Sequence, residues 1–593
     1  MVGDNKFSRR EFIQAGGAGI FLAGLHLSLP MPAWALTASN GIVQAASQKR
    51  YDLVIDYMPI RIDGRSGTAT AINGTVPGPL VHLREGDDVI LNVTNRMMDT
   101  EHSSIHWHGI LVPFRMDGVP GVNFGGIPPN ETYEYRFRVR QAGTYWYHSH
   151  SAFQEQTGVY APLIIDPKDG EPFTYDRDYA IVLSDWSFED PDTIFRNINL
   201  QNDYYNFQRR TMWDFFNDAG KHGFRKTVAD RKAWGSMRMS PVDLADVTAY
   251  TYTYLMNGHS PNMNWTALFN PGETLRLRFI NASVMTIFDL RIPGLDMDVV
   301  MVDGKAVRPV PVHEFRIGVA ETYDVLVRPK EDRAFTIYAE SLDRGGYTRG
   351  TLSPEPGLEA PVPELRPRPV RSLEEVGMGG VGGMVSPSGM SSTMEHDGHR
   401  MQHNGHGQQD DRDPRIPGPN GPKPFKAEKG NPNVTMVIDN PKYRLDEPGI
   451  GLGGDGWRVL TYDDLVSTEL QPYSENVDRE MTINITDNME RFMFSFDGKK
   501  FTEHPGPYFF RHNERLRLFM VNHTMMEHPI HLHGMWMQLE NGAGKLPFKH
   551  TVLTKPGEVL SVLITPIEKG DWAFHCHLLY HMKAGMSQIV RVA

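Results

Sequence analysis

A single cysteine in 593 residues, Cys576, excludes an internal disulfide. The chain also lacks a basic excess. Its 60 lysines and arginines stand against 72 aspartates and glutamates, a formal net charge of −12, and no basic patch asks for a nucleic-acid partner. Long hydrophobic runs are missing too. The Gly/Ala/Leu stretch from Ala15 to Leu29 is too short and too glycine-rich to cross a bilayer as a stable helix, and no other segment reaches that length. No stable membrane span is therefore expected. What the chain does have is 40 % hydrophobic and 10 % aromatic residues, enough for ordinary cores in several domains of about 150 residues each.

The N-terminus reads as a targeting segment. Ser8-Arg9-Arg10-Glu11-Phe12-Ile13 carries paired arginines, the apolar stretch follows, and Ala33-Trp34-Ala35 is a small-x-small cleavage site. Paired arginines of this kind mark export of proteins already folded. Residues 1–35 are thus predicted to be a twin-arginine signal peptide, recognised by the twin-arginine export machinery, with a mature chain from about Leu36 in the periplasm.

The lone cysteine has a telling setting. His575-Cys576-His577 is followed by His581 and Met586. A thiolate, an imidazole and a thioether are the softer ligands of a blue copper centre. In a strand the flanking histidines point away from the cysteine, because side chains alternate faces. One tripeptide would then touch two metal sites, an arrangement suited to electron transfer.

Internal repeats organise the remainder. Ile72-Asn73-Gly74, Met256-Asn257-Gly258 and Phe496-Asp497-Gly498 are each followed by an acidic turn, an alternating strand and, at a matching distance, a glycine: Gly109, Gly294 and Gly534. The second halves repeat as well, ending in His148-Ser149-His150, Ala339-Glu340-Ser341 and His575-Cys576-His577. Alternation with period two and frequent turn residues predicts an all-β chain of sandwiches or Greek-key barrels. Three β-domains are expected at roughly 50–168, 175–365 and 426–593, with a few helical turns around Asn202–Ala233. The segment 366–425, Pro-rich and then Met/His-rich, reads as a flexible linker.

Four His-x-His pairs stand in register with the repeat: His106/His108, His148/His150, His531/His533 and His575/His577. They fall in the first and third units, and the second has none. Eight imidazoles converging between the outer domains would hold more than one metal. Zinc also takes imidazole, but it has no use for a thiolate–thioether redox centre beside it, so copper is favoured. His528 lies off the paired register and completes a trigonal set with Cys576 and His581, with Met586 as weak axial ligand.

These motifs together resemble the multicopper oxidase superfamily. They are His-Trp-His-Gly at 106–109, His-Ser-His at 148–150, His-Pro-Ile-His-Leu-His-Gly at 528–534 and the segment 575–586. Within it the chain looks most like the bacterial copper-resistance (CopA-type) branch. The supporting stretches include Leu183-Ser184-Asp185-Trp186, the segment Met239 to Val247, and Gly346-Tyr347-Thr348-Arg349-Gly350-Thr351-Leu352. The resemblance implies three cupredoxin-like Greek-key β-barrel domains and about four copper ions. It makes His528, Cys576, His581 and Met586 the type 1 ligands, and gives His106 and His531 to type 2 copper. His108, His148, His150, His533, His575 and His577 would hold the type 3 pair. Asp117 resembles the acid that supplies protons near the cluster. Some bacterial cuprous oxidases carry a glutamate right after the last type 1 histidine; this chain has Met582 there, which leaves the proton relay on that side unnamed.

The function expected from all this is a monomeric periplasmic oxidase. It would take electrons singly from Cu(I), with phenols as further substrates, through an exposed edge of His528 or His581, and reduce O2 to water. Cu(I) is favoured by the soft ligands of the insert: Met378, Met384, Met390, Met394 and Met401 with His396, His399, His403 and His406. The alternatives are a laccase whose substrates are phenols and a periplasmic copper-sequestering protein.

Overall fold

The computed structural model describes residues 49–377 and 413–593. The signal segment and the Met/His-rich insert lie outside the described residues. The architecture is all-β, as the pattern predicts: six sheets, arranged as three consecutive pairs along the sequence. The first pair contains a four-stranded sheet in which Lys49–Ile62 lies between Arg65–Ile72 and Asp88–Asn95, with Thr132–Arg138 outermost. Its partner sheet carries His106–His108 at one edge beside Gly143–His148. The last pair contains a five-stranded sheet in which Gly570–Cys576 lies between Ser587–Val592 and His528–Leu532.

The repeated Asn-Gly and Asp-Gly pairs are hairpin turns. Asn73, Asn257 and Asp497 have φ of 51°, 50° and 52°, and Gly74, Gly258 and Gly498 follow at 71°, 76° and 72°. Two successive left-handed residues make the primed turn whose twist matches the flanking strands, which explains why these residue types recur.

The hairpin registers place the histidines. His106 pairs with His148 and His108 with Trp146 across one ladder; His531 pairs with His575 and Ile530 with Cys576 across another. The middle sheets contribute anchors instead of imidazoles. Thr144, in the strand leading to His148, donates to Asp324 at 2.9 Å and accepts from Arg278 at 3.0 Å. Asp303 accepts from the backbone of His550 and Thr551 at 3.2 and 3.3 Å, and its carboxylate lies 3.1 Å from Nζ of the buried Lys549. These charges are buried with their partners, as low-dielectric surroundings require.

Two expectations are corrected. The helical turns around Asn202–Ala233 are three full helices that extend beyond that range: α1 (Pro191–Leu200), α2 (Met212–His222) and α3 (Phe224–Met237). Asp190 caps α1 by accepting from Thr193, and Thr211 with Asp214 forms a capping box on α2, so local side-chain chemistry sets the boundaries. The described parts of the predicted flexible linker are packed. Arg366 reaches Glu314 and Glu340, and Arg371, Val376 and Ile416 are buried. Composition showed few apolar residues there, but the segment is held by arginines that meet buried carboxylates.

Candidate metal centre

The four His-x-His pairs converge. His106, His531 and His533 form one cluster of ligand atoms, His108, His148 and His577 a second, and His150, His533 and His575 a third; within each, the atoms lie within 4.8 Å of one another. Each cluster combines histidines from the first and last sheet pairs. The rings crowd closely, with centroids 4.0 Å apart for His106 and His533 and 3.9 Å for His108 and His531.

The hydrogen bonds show which ring atom faces inward. Nδ1 of His106 donates to the Asp117 carbonyl at 2.7 Å, that of His148 to the Ser149 carbonyl at 3.0 Å, that of His531 to the His550 carbonyl at 2.7 Å, and that of His575 to the Cys576 carbonyl at 2.9 Å. With Nδ1 protonated in this way, Nε2 keeps its lone pair. Nε2 of His106, His148, His150, His531 and His577, and both nitrogens of His108, are buried without a hydrogen-bond partner. Burial, and then the neighbouring imidazoles, hold His108, His150 and His531 well below the usual histidine pKa. A set of buried neutral imidazoles with unpartnered inward lone pairs fits metal ions, and more than one.

Asp117 lies at the contact of the two halves. Its carboxylate accepts from Nδ1 of His533 at 2.9 Å, while Asn123 donates to the same oxygen at 3.1 Å. Burial alone would raise its pKa; the adjacent His533 and His106 outweigh that and hold the carboxyl well below its ordinary range. One residue thus orients two histidines, one from each half.

A separate group is formed by His528, Cys576 and His581. Cys576 Sγ lies 3.6 Å from Nδ1 of His528 and 3.9 Å from Nδ1 of His581, and the two nitrogens are 3.2 Å apart. Their outer nitrogens are engaged: Nε2 of His528 with Thr524 Oγ1 at 2.7 Å, and Nε2 of His581 with Asp246 Oδ2 at 2.7 Å. Both rings therefore turn Nδ1 toward the sulfur. Met586 is fully buried, and its carbonyl accepts from the Cys576 amide at 3.1 Å. Burial pushes the Cys576 thiol up, so metal uptake must release its proton.

The expected exposed histidine edge is absent. His528 and His581 are both fully buried. Thr524 and Asp246 cap their outer nitrogens, and Phe494 stacks on His581 with centroids 3.7 Å apart. A reductant must therefore work through the cap, and the cap on His581 is acidic. Asp246 has an unpartnered Oδ1, and both carboxylate oxygens of the buried Asp487 are also unpartnered. Burial pushes Asp246 up to about 7; burial and then the nearness of Asp246 push Asp487 up to about 8. A cavity lined by Met285, Asp343 and Met526 opens beside Asp246.

Besides Asp487, three groups at the centre carry no signal in the sequence pattern. Asp246 sits inside a stretch singled out only for its resemblance. His550 is outside any His-x-His pair, yet its ring nitrogens cluster with those of His108 and His531, and its ring lies where a Cβ at Gly109 would come within 2.3 Å of it. Glu155 is buried with Oε2 3.2 Å from Nδ1 of His148, and Oε1 makes no hydrogen bond but lies 4.0 Å from Nδ1 of His577. It lines a small cavity with His148, His150, His575, His577 and Met582, the last being the residue that follows His581 where some bacterial cuprous oxidases carry a glutamate. Burial raises its pKa well above the ordinary value.

Comparison with known proteins agrees with this geometry. Residues 54–170, 177–356 and 474–593 each match a family model described as multicopper oxidase. The chain is 48 % identical to a copper resistance protein A homolog of Pseudomonas syringae pv. tomato, over 99 % of both chains. It is 46 % identical to copper resistance protein A of Escherichia coli, again over 99 % of both. Among solved structures, Fet3p, a multicopper oxidase that functions in iron import, superposes with a TM-score of 0.61 at 17 % identity, covering 92 % of this chain and 90 % of that one, a likeness of fold.

Proposed function

The chain belongs to the multicopper oxidase family and is an oxidoreductase with copper as its cofactor, and on that premise we propose that it oxidises Cu(I) at the expense of O2 and so contributes to copper resistance. Two near relatives carry copper resistance in their names. The observation that carries the substrate reading is the acidic cap: Asp246 on the outer nitrogen of His581, with Asp487 near it and, among the described residues, no hydrogen bond to Asp246 Oδ1 or to either Asp487 oxygen. A cation that approaches favours the ionised form of such carboxyls against their burial, a gain that a neutral phenol does not offer.

In this reading His528, Cys576, His581 and Met586 hold type 1 copper. His106 and His531 hold type 2, and His108, His148, His150, His533, His575 and His577 hold the type 3 pair, within the domain limits 50–168, 175–365 and 426–593. When bound, copper supplies one-electron chemistry at the first site and four-electron delivery to O2 at the others. The residues do the rest. Cys576 is joined through its own backbone to His575 and His577, so a short covalent path links the two sites. Asp246 fixes the orientation of His581 and meets the incoming cation. Asp117 holds His106 and His533 in place with an ionised carboxylate. Glu155 holds a proton at Oε1 on the Met582 side.

Asp246→Asn tests the substrate reading. It keeps a polar cap but removes the charge. Oxidation of Cu(I) should fall about 10–100-fold, the usual effect of losing a partner of a metal ligand, while a dimethoxyphenol should lose much less. Equal losses for both would return the chain to the phenol-oxidising reading. Glu155→Gln should keep the blue spectrum and slow steady-state O2 reduction by about 10²-fold. An unchanged rate would remove it from the proton path.

We further propose delivery to the periplasm through the twin-arginine route. No helix among the described residues is long and apolar enough to cross a membrane. Lysine at both Arg9 and Arg10 should hold the protein back in the cytoplasm, as cell fractionation would read; normal periplasmic yield would point to another route.

A further inference from the structure

Helices α2 and α3 form a hairpin that turns a large apolar face to solvent. No residue of α2 is buried. Met212, Trp213 and Phe216 fall within one third of its circumference, and Trp213 is 73 % exposed. On α3 the exposed Phe224 and Val228 share an arc with Arg225 and Lys232, while Thr227 and Trp234 are buried on the other side. Phe215 and Phe224 touch across the hairpin, with ring centroids 5.8 Å apart, so the two exposed faces belong to one unit.

The charge of this unit opposes that of the chain. Residues 209–238 hold eight lysines and arginines against three aspartates, within a protein of net charge −12. All three acids are engaged: Asp214 with Arg368 at 3.2 Å, Asp230 with Arg210 at 2.7 Å, and Asp218 with Arg210 and Arg231 at 3.5 Å each. Among the described residues, Lys221, Arg225, Lys226 and Lys232 have no ion pair, and all four are exposed. The unpaired positive charge and the exposed aromatics therefore coincide.

We infer that this hairpin is a docking surface for an anionic phospholipid membrane. An exposed tryptophan and phenylalanines interleaved with unpaired cations are the composition of helices that lie in the headgroup region, aromatics inserted and cations on the lipid phosphates. The positive charge of the hairpin would repel the same face of a second copy.

The test is flotation of the full copper-loaded chain with vesicles of equal parts phosphatidylglycerol and phosphatidylcholine, beside vesicles of phosphatidylcholine alone. The parent should float with the anionic vesicles only and be released by high salt, which screens surface charge. Trp213→Ser with Phe216→Ser should weaken partition about tenfold or more. Serine at Lys221, Arg225, Lys226 and Lys232 should abolish its salt dependence. Unchanged blue absorption and unfolding temperature would show that both variants are folded. The inference fails if the parent stays in solution with anionic vesicles, or if both variants float as the parent does. It also fails if the face instead makes copies of the chain, or the chain and an acidic protein, associate without lipid.

Discussion

Cys576→Ser is expected to lose the intense absorption near about 600 nm and all oxidase turnover while remaining folded. Cys576 is the only thiol in the chain, so no other residue can restore a thiolate at the centre of the His528–Cys576–His581 group. A serine hydroxyl stays protonated and offers no soft ligand. It also removes the sulfur that faces both Nδ1 atoms at 3.6 and 3.9 Å. The cost to stability is on the order of 1–3 kcal/mol for one hydroxyl without a good partner, spread against cores that run through all three sheet pairs. Absorption spectroscopy and an oxygen electrode give the readout. A variant that stayed blue would end the assignment of Cys576.

His150→Ala should separate the two halves of the reaction. His150 belongs to the His150–His533–His575 group and to no other, and its Nε2 is unpartnered. Its loss leaves the Cys576 group untouched. A reductant should still bleach the blue colour at close to the parent rate, but the colour should not return in air. Steady-state turnover should fall below about one thousandth of the parent rate, the scale on which removal of an essential group acts. Stopped-flow bleaching followed by oxygenation checks both. Return of colour at the parent rate would mean that the histidine clusters do not handle O2.

The histidine pairs were legible because they combine two independent signals: spacing within a strand, and recurrence at equivalent places in a repeat. The same recurrence made the hairpin turns at Asn73, Asn257 and Asp497 readable, since left-handed backbone admits few residue types. Asp246, Asp487, Glu155 and His550 carry no such mark. Each reaches the centre from a segment distant in sequence or off the His-x-His register, as Asp246 does in meeting His581 from 335 positions away. The cover over the histidine edge is invisible to the spacing for the same reason, because the residues that form it lie elsewhere in the chain. The packing of Arg366 and Arg371 was hidden because composition records charge but not the buried carboxylate that receives it.

The proposed mechanism passes electrons from Cu(I) near Asp246 to O2 at the histidine clusters. It is tested most directly by measuring Cu(I) consumed against O2 consumed, with peroxide assayed in the same vessel. This mechanism consumes about four Cu(I) per O2 with no hydrogen peroxide released, a ratio lost in both Cys576→Ser and His150→Ala. Oxygen uptake no faster than that of Cu(I) in buffer, or about two Cu(I) per O2 with peroxide accumulating, would contradict it.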